Sequence, residues 1–380
     1  MISISKKAKC NGCHACFAIC PKRCISMVVD KEGFFYPKID KQHCIDCGLC
    51  EKICPTLNKM DDNNKKGIAY AAINKDEQIR MNSSSGGAFF ALATKIIEQG
   101  GVVFGASFNE NFELVHTYAE TLEEVQKFCG AKYIQSKIGE SYCFVEQFLK
   151  NGRIVLFTGT PCQIGGLRAY LQKEYDNLFT QDLICHGVPS PLVWEKYKEY
   201  RKKKDGRDKP EKIMFRSKEE GWKKFSLVFS YSDMKYRECF NKDLYMKLFL
   251  NNLCLRPSCY ECAFKTDMRA SDLTLADFWG IKNILPKMDD DKGTSLIFVN
   301  SPKGQELFDS IKLSFNYKEV CSEEAIIYNS AMIQSVKLPT ERKAVMRKIA
   351  QKGLKDNNSY FKASLCNRIK NFLGRFYKKR

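Results

Sequence analysis

The sequence predicts an α+β protein in two unequal parts, a small cysteine-rich module followed by a larger mixed α/β domain. Three observations predict it. Two cysteine runs of identical spacing lie within residues 10–55. From Gly67 onward, apolar runs of strand length alternate with stretches of helical periodicity. The chain has 380 residues and a hydrophobic content of 44%, enough for a core far larger than the module could hold.

Cys10, Cys13, Cys16 and Cys20 are followed by Pro21, and Cys44, Cys47, Cys50 and Cys54 by Pro55. Each run reads Cys-x2-Cys-x2-Cys-x3-Cys-Pro, the spacing of bacterial two-cluster ferredoxins. Three thiolates in a tight loop cap three irons of one cubane, and the fourth, turned away at the proline, reaches the other cluster. Cys10, Cys13, Cys16 and Cys54 are thus expected to hold one [4Fe–4S] cluster, and Cys44, Cys47, Cys50 and Cys20 a second. Structural zinc would need only four ligands per site and gives no reason for the prolines or the repetition. Cys24 lies outside both patterns and is expected to be a small buried hydrophobe. Between the runs, Ile25 to Ile39 alternates as a hairpin turning at Asp30 to Gly33. A ferredoxin-like module over residues 1–60 follows, with Asp61 to Lys66 as a polar linker.

Nineteen cysteines would suit a secreted disulfide protein, but residues 1–9 are polar and no stretch has the length and apolarity of a membrane span. Thiolates that bind iron also need a reducing compartment, so a cytoplasmic location is expected. The formal charge of +18 is concentrated at one end: from Lys337 onward, fourteen Lys/Arg face two acidic residues. Bound clusters, at roughly −2 each, would offset part of the rest, so no nucleic-acid-binding domain is read from it.

In the second part, expected as residues 67–335, Ile68–Ile73 reads as a strand, Ala88–Gln99 as a helix and Val102–Phe108 as a strand. The run Ser83-Ser84-Ser85-Gly86-Gly87 before that helix is either a cap or an anion site. Leu122–Cys129 reads as a short helix. The strand Ile154–Thr158 ends in Gly159-Thr160-Pro161-Cys162-Gln163 and a helix follows from Ile164 to Lys173. The strand Leu178–Ile184 ends in Cys185-His186-Gly187. Cysteines at the ends of successive strands can face one crevice. Arg201–Lys212 reads as a charged loop, Ile213–Tyr231 as a hairpin and Leu244–Leu250 as a helix. Cys259 and Cys262 form a Cys-x2-Cys pair, and with Cys162 and Cys185 they would complete a third four-thiolate site, with Cys254 as spare. This spacing suits a third [4Fe–4S] cluster or zinc.

With Ser-Ser-Gly-Gly, Gly-Ala-Lys-Tyr, Gly-Thr-Pro-Cys-Gln, Cys-His-Gly-Val-Pro-Ser, Arg-Pro-Ser-Cys-x2-Cys and Ser-Asp-x4-Asp-Phe-Trp-Gly following the two runs in order, the chain resembles the coenzyme F420 hydrogenase/dehydrogenase beta-subunit family. The resemblance spans about residues 5–300. It implies a larger domain that binds FAD and iron–sulfur clusters and passes electrons between the clusters and a two-electron substrate at the flavin. It implies that Ser84, Ser85, Gly86 and Gly87 hold flavin phosphates, that Lys132, Tyr133, Gln135 and Thr160 lie near the flavin, and that the central cysteines hold a cluster beside it. Asp272 and Asp277 would bind ribityl hydroxyls or act as caps. His186 is a candidate catalytic proton donor or a histidine hydrogen-bonded in a turn.

The expected function is that of an iron–sulfur flavoprotein oxidoreductase, served by a ferredoxin or reductase and acting on an organic small molecule. Family members encoded with surface-polysaccharide genes make a glycan precursor one such substrate. The alternatives are an electron-relay subunit without its own substrate and a zinc-dependent interaction module. Phe361, Leu365, Ile369, Phe372, Leu373 and Phe376 form an apolar stripe in a basic tail, residues 336–380, that would contact a membrane surface or pack on its own domain.

Overall fold

The computed structural model describes residues 2–58, 66–356 and 360–361. Apart from Lys66, the expected linker lies outside them, as do Leu365, Ile369, Phe372, Leu373 and Phe376 of the apolar stripe. Alternation folds the segment after the first cysteine run into a hairpin: β1 (Ile25–Val29) and β2 (Phe35–Ile39) pair antiparallel, Ile25 opposite Ile39. The Asp30 carboxylate closes the turn, accepting from the amides of Glu32 at 2.9 Å and Phe34 at 3.0 Å.

The two cysteine runs repeat each other in backbone as well as in sequence. Gly12 and His14 have φ of 66° and 65°, and their counterparts Asp46 and Gly48 have 53° and 73°. Each run then enters a one-turn helix, Ala15–Ala18 or Leu49–Lys52. Left-handed residues at such intervals curl successive amides into a concavity suited to an anion.

The larger part is built on an eight-stranded sheet. Its strands are β3 (Ile68–Asn74), β4 (Val102–Phe108), β5 (Leu114–Ala119), β6 (Val155–Thr158), β7 (Leu178–Leu183), β11 (Leu273–Asp277), β12 (Ser295–Val299) and β13 (Phe315–Val320), in the order β13-β3-β12-β11-β7-β6-β4-β5. The central strands β4, β6, β7 and β11 run parallel, and both edges are antiparallel. Burial on both faces accounts for the unbroken apolar character of β6. Helices Ala88–Glu98 and Pro302–Ile311 cover one face, where Val103 and Leu156 point; Ser141–Lys150 and Pro161–Leu171 cover the other, over Phe104 and Phe157.

A second sheet of β8 (Lys212–Ser217), β9 (Ser226–Ser230) and β10 (Lys235–Cys239), in the order β10-β9-β8, encloses an aromatic core around Trp194. Two expectations are corrected here. The hairpin over Ile213–Tyr231 gains a third strand, β10. The charged loop at Arg201 begins instead as the last turn of helix Pro191–Asp205, where Arg201 pairs with Asp205 and Gly206 ends the helix in a left-handed conformation. Arg201 to Asp205 are thus helical, while Arg207 to Glu211 form a charged loop before β8, shorter than expected at its start. Helix Arg342–Lys352 packs Val345, Met346 and Ile349 into the same aromatic core, and Phe361 lies against it.

The module is seated on the larger part through its hairpin turn. Gly33 has φ +84°, and a Cβ there would run into the backbone of Leu192. Ser190 Oγ donates to the carbonyl of Glu32, whose carboxylate pairs with Arg342 at 2.6 and 3.0 Å. Among the described residues, no helix is long and apolar enough to cross a membrane.

Two outcomes follow from this packing. Gly33→Val should loosen the seam by about 2 kcal/mol, from left-handed strain and the clash at Leu192; faster hydrogen exchange in β1 and β2, with the eight-stranded sheet unchanged, is the reading that checks it. His116 is buried on β5, its Nε2 hydrogen-bonded to the carbonyl of Thr158 at 3.0 Å, and burial pushes its pKa down to about 4. The unfolded chain takes up that proton below about pH 6.5, so stability falls as pH drops toward 4. Between pH 7 and 5 the loss from this group is about 2 kcal/mol. Thermal unfolding of His116→Gln should show a smaller acid shift than the parent protein.

Candidate iron–sulfur and flavin site

The parallel strands β6, β7 and β11 end on one edge of the sheet, so the segments that follow them are neighbours. After β6, the amide of Thr160 donates to Gln163 Oε1 at 2.9 Å and its side chain caps helix Pro161–Leu171, which places Cys162 in the first turn. Cys185 and His186 follow β7. Cys259 lies in a one-turn 3₁₀ segment, Pro257–Glu261, with its amide bonded to the carbonyl of Arg256 at 2.9 Å.

Cys162, Cys185, Cys259 and Cys262, from three separate segments, line one open-mouthed cavity. Cys254 is absent from its wall; it is fully buried in the aromatic core. Burial, reinforced by the neighbouring thiols, pushes Cys162 far up and Cys259 up to about 12. Cys185 is also raised by burial, less so because Lys265 lies close. Without metal these three thiols hold their protons, and thiolate formation here requires a compensating cation. Lys265, Arg256 and Arg269 line the same cavity and favour negative charge within it.

Cys54 acts on the first run and Cys20 lines a cavity with the second, the crossing that the expected ligand sets call for. Cys13 is raised to about 12, chiefly by burial, and the charges acting on it include those of Cys10 and Cys54; Cys16 feels Cys13, Cys10 and Cys54, and also Cys50 of the second run. Cys20, Cys44, Cys47 and Cys50 line a second cavity, open to the surface, with Cys24 beside them and its Sγ 3.4 Å from Cys20 Sγ. Cys24 is buried, as a small hydrophobe would be, but it touches the site. Among the described residues, no three His, Cys, Asp or Glu side chains converge on one metal-ion position. The cysteines of the second and third sets stand around cavities, the arrangement that a cluster wider than an ion needs. On chemistry and placement, these residues fit [4Fe–4S] clusters.

The residues expected near a flavin divide. Ser84 Oγ accepts from the amide of Ala131 at 2.6 Å, tying the Ser-Ser-Gly-Gly run to the loop that carries Lys132 and Tyr133. Ser85 Oγ donates to the carbonyl of Thr294, and the Gly86 amide to Ser295 Oγ. Gly87 caps helix Ala88–Glu98 at φ 89°, so any anion there would meet first-turn amides rather than serine hydroxyls. Tyr133 is stacked on Phe249 at 4.7 Å and lies near Arg216 and Asp277. Asp277 pairs with Arg216 and accepts from Trp222 Nε1 at 3.1 Å, and Trp222 is stacked on Trp279 at 4.5 Å. Nε and Nη2 of Arg216 are buried without a hydrogen-bond partner. Two orphaned donors beside two stacked indoles and a tyrosine fit the acceptor-rich edge of a flat heterocycle such as flavin.

Five expected residues stand elsewhere or are already engaged. Asp272 lies at the opposite end of β11, accepting from the amide and hydroxyl of Thr180 at 2.8 and 2.7 Å and from Ser301 at 2.6 Å. It is a buried structural pin, and the ribityl expectation is corrected for it. Gln135 faces the module, donating to the carbonyl of Asn11 and accepting from Arg256. Lys132 spends its ammonium on the carbonyls of Phe128, Cys129 and Gly130, and burial pushes it down to about 8. Thr160 Oγ1 is 3.2 Å from Cys162 Sγ, beside the central thiols. His186 lines the central cavity with Nε2 2.7 Å from Asn252 Oδ1, and burial pushes it down to about 4. It is therefore neutral near pH 7, which favours the hydrogen-bonded turn reading over an ionised proton donor.

Arg216, Trp222 and Arg256 are functional candidates that motif reasoning missed. Arg256 stands in the quoted Arg-Pro-Ser-Cys motif, where its charge was the available signal. Arg216 and Trp222 have none, because their partners lie 61 and 55 residues away.

Two stretches of the chain match known protein families. Residues 9–58 match a 4Fe-4S dicluster domain, and residues 152–322 match the C terminus of the coenzyme F420 hydrogenase/dehydrogenase beta subunit. No curated protein matches. Among solved structures, a chain of the F420-reducing [NiFe] hydrogenase complex from Methanosarcina barkeri is 16% identical, with a TM-score of 0.49, covering 80% of this chain and all of its own. With a dicluster module followed by that C-terminal region, the chain is like the beta subunits of the coenzyme F420 hydrogenase/dehydrogenase family in the order of its parts.

Proposed function

We propose that this protein is a flavin-dependent iron–sulfur oxidoreductase that accepts electrons singly from a protein carrier and delivers them in pairs to an organic acceptor. The observation that carries the reading is the central cavity. Cys162, Cys185, Cys259 and Cys262 line it together with Asn11 of the first cysteine run, so a third cluster there would adjoin the first. Cys162 and Gly166 lie one turn apart on helix Pro161–Leu171, about 6 Å along its axis. A Cβ on Gly166 would press on Cys13 at 2.8 Å. One helix face thus serves both sites, and the glycine permits the close approach.

The surface-open Cys44 set, with Cys47 and Ile45 exposed, is the natural entry for a ferredoxin-type carrier. At the far end, Arg216, Asp277, Tyr133, Trp222 and Trp279 would hold the flavin, with phosphates at the first turn of helix Ala88–Glu98. Bound flavin exchanges electrons singly or in pairs, which matches clusters to a two-electron substrate. The chain's own residues orient the ring, exclude water and supply donors; no ionised acid–base pair is needed beside the central thiols. A glycan precursor is the acceptor class that the family resemblance implies. The expected units are the module at 1–60, the flavin and cluster domain at 67–335 and the basic tail.

Protein purified without oxygen should carry about twelve irons and one FAD per chain. Cys259→Ala should reduce iron to about eight, sparing the module's clusters; unchanged iron would remove the central ligand set. Arg216→Met should weaken flavin retention at least tenfold, by loss of buried charged donors. Iron-replete protein that never retains flavin would leave the relay-subunit reading instead.

A further inference from the structure

Arg256 is fully buried, and its guanidinium joins two of the cluster sites. Nε donates to the carbonyl of Cys10 at 2.8 Å, and Nη2 to the carbonyl of Phe35 at 2.9 Å. Nη2 also lies 3.5 Å from Cys10 Sγ, and Nη1 donates to Gln135 Oε1 at 3.0 Å. Its side chain packs over Tyr36, 4.4 Å from the ring centroid, and its carbonyl receives the amide of Cys259. The hydrogen-bond partners of the guanidinium are carbonyls, an amide and a thiol, so its positive charge faces Cys10 without a carboxylate among them.

We propose that Arg256 raises the reduction potential of the cluster assigned to Cys10, Cys13, Cys16 and Cys54, with Gln135 holding the guanidinium in register. The proposal rests on the cluster reading given above. One-electron reduction adds a negative charge to the cluster and its thiolates. A fixed positive charge hydrogen-bonded to one ligand sulfur favours the reduced form. Arginine cannot lose its proton in a protein, and full burial keeps solvent from screening it. In the second run the residue equivalent to Cys10 is Cys44, which lines the surface-open cavity beside exposed Cys47, where water weakens any such field. Two runs of identical spacing would therefore hold clusters of unequal potential. The inner one would be the easier to reduce, drawing electrons from the surface toward the central cavity.

The test is an EPR-monitored reductive titration of full-length, anaerobically purified holoprotein. Arg256→Met should lower the midpoint of the inner module cluster by at least tenfold in its one-electron equilibrium, about 59 mV, and leave the surface-open module cluster in place. Arg256→Lys, which keeps charge without the fork, should fall between. Gln135→Glu places a carboxylate against the guanidinium without opening a cavity and should shift the same midpoint downward; it decides the matter if Arg256→Met fails to load iron. Variants with full iron content and unmoved midpoints would overturn the proposal while leaving the cluster reading intact. A parent protein lacking iron–sulfur signals would overturn both.

Discussion

A fully buried cation, Arg256, ties the small module to the large one. An arginine removed from water is tolerated only where its donors are met, and Arg256 meets them with groups 121 to 246 residues away in the chain. Cys10, Phe35 and Gln135 must all be in place before the guanidinium is satisfied, so the bond set fixes the orientation of the cysteine runs on the sheet. The hairpin turn adds a second restraint through Glu32, Arg342 and Ser190. With both in place, Asn11 reaches the rim of the central cavity, and Cys13 lies on Gly166.

The same burial shapes the chemistry of the thiols. A cysteine in a low-dielectric wall surrounded by other cysteines is a poor acid, and Cys13, Cys162 and Cys259 are all pushed upward for that reason. Such thiols are inert until a cation arrives that can pay the desolvation cost of several thiolates together. Lys265, Arg256 and Arg269 lower that cost without removing it. Iron insertion and closure of the site are therefore expected to be coupled, and Cys13, Cys162 and Cys259 to be slow nucleophiles in the apo-protein.

Legibility from sequence followed the range of the interaction. The paired runs were readable because cluster ligation imposes a local spacing, and the Cys259-x2-Cys262 pair, proposed for a third site, stood out by the same kind of spacing. Cys162 and Cys185 could be placed together because parallel strands end on one edge of a sheet, a topological rule rather than a motif. Asp272 and Asp277 could not be separated: they lie on one short stretch, yet one pins Thr180 behind the sheet and the other meets Arg216 at the opposite end of β11. Gln135 belongs to a loop motif whose neighbour Tyr133 faces the Arg216 cluster, while Gln135 itself faces the module. A motif locates a loop, but only packing decides which way each side chain turns.

That divergence within one loop bears on how the two ends of the molecule communicate. Tyr133 and Gln135 are two residues apart, and the carbonyl of Tyr133 is held by Tyr245 Oη at 2.6 Å. The loop is therefore clamped between the aromatic core, the Arg216 cluster and the Arg256 bridge. A shift at either end must strain the same few backbone groups, because the closely packed core beneath leaves little room to absorb it. The clamp favours fixed distances between electron-carrying groups over motion. For the electron transfer proposed above that is the useful property, since a protein in such a role holds the centres still and dry while the cofactors do the chemistry.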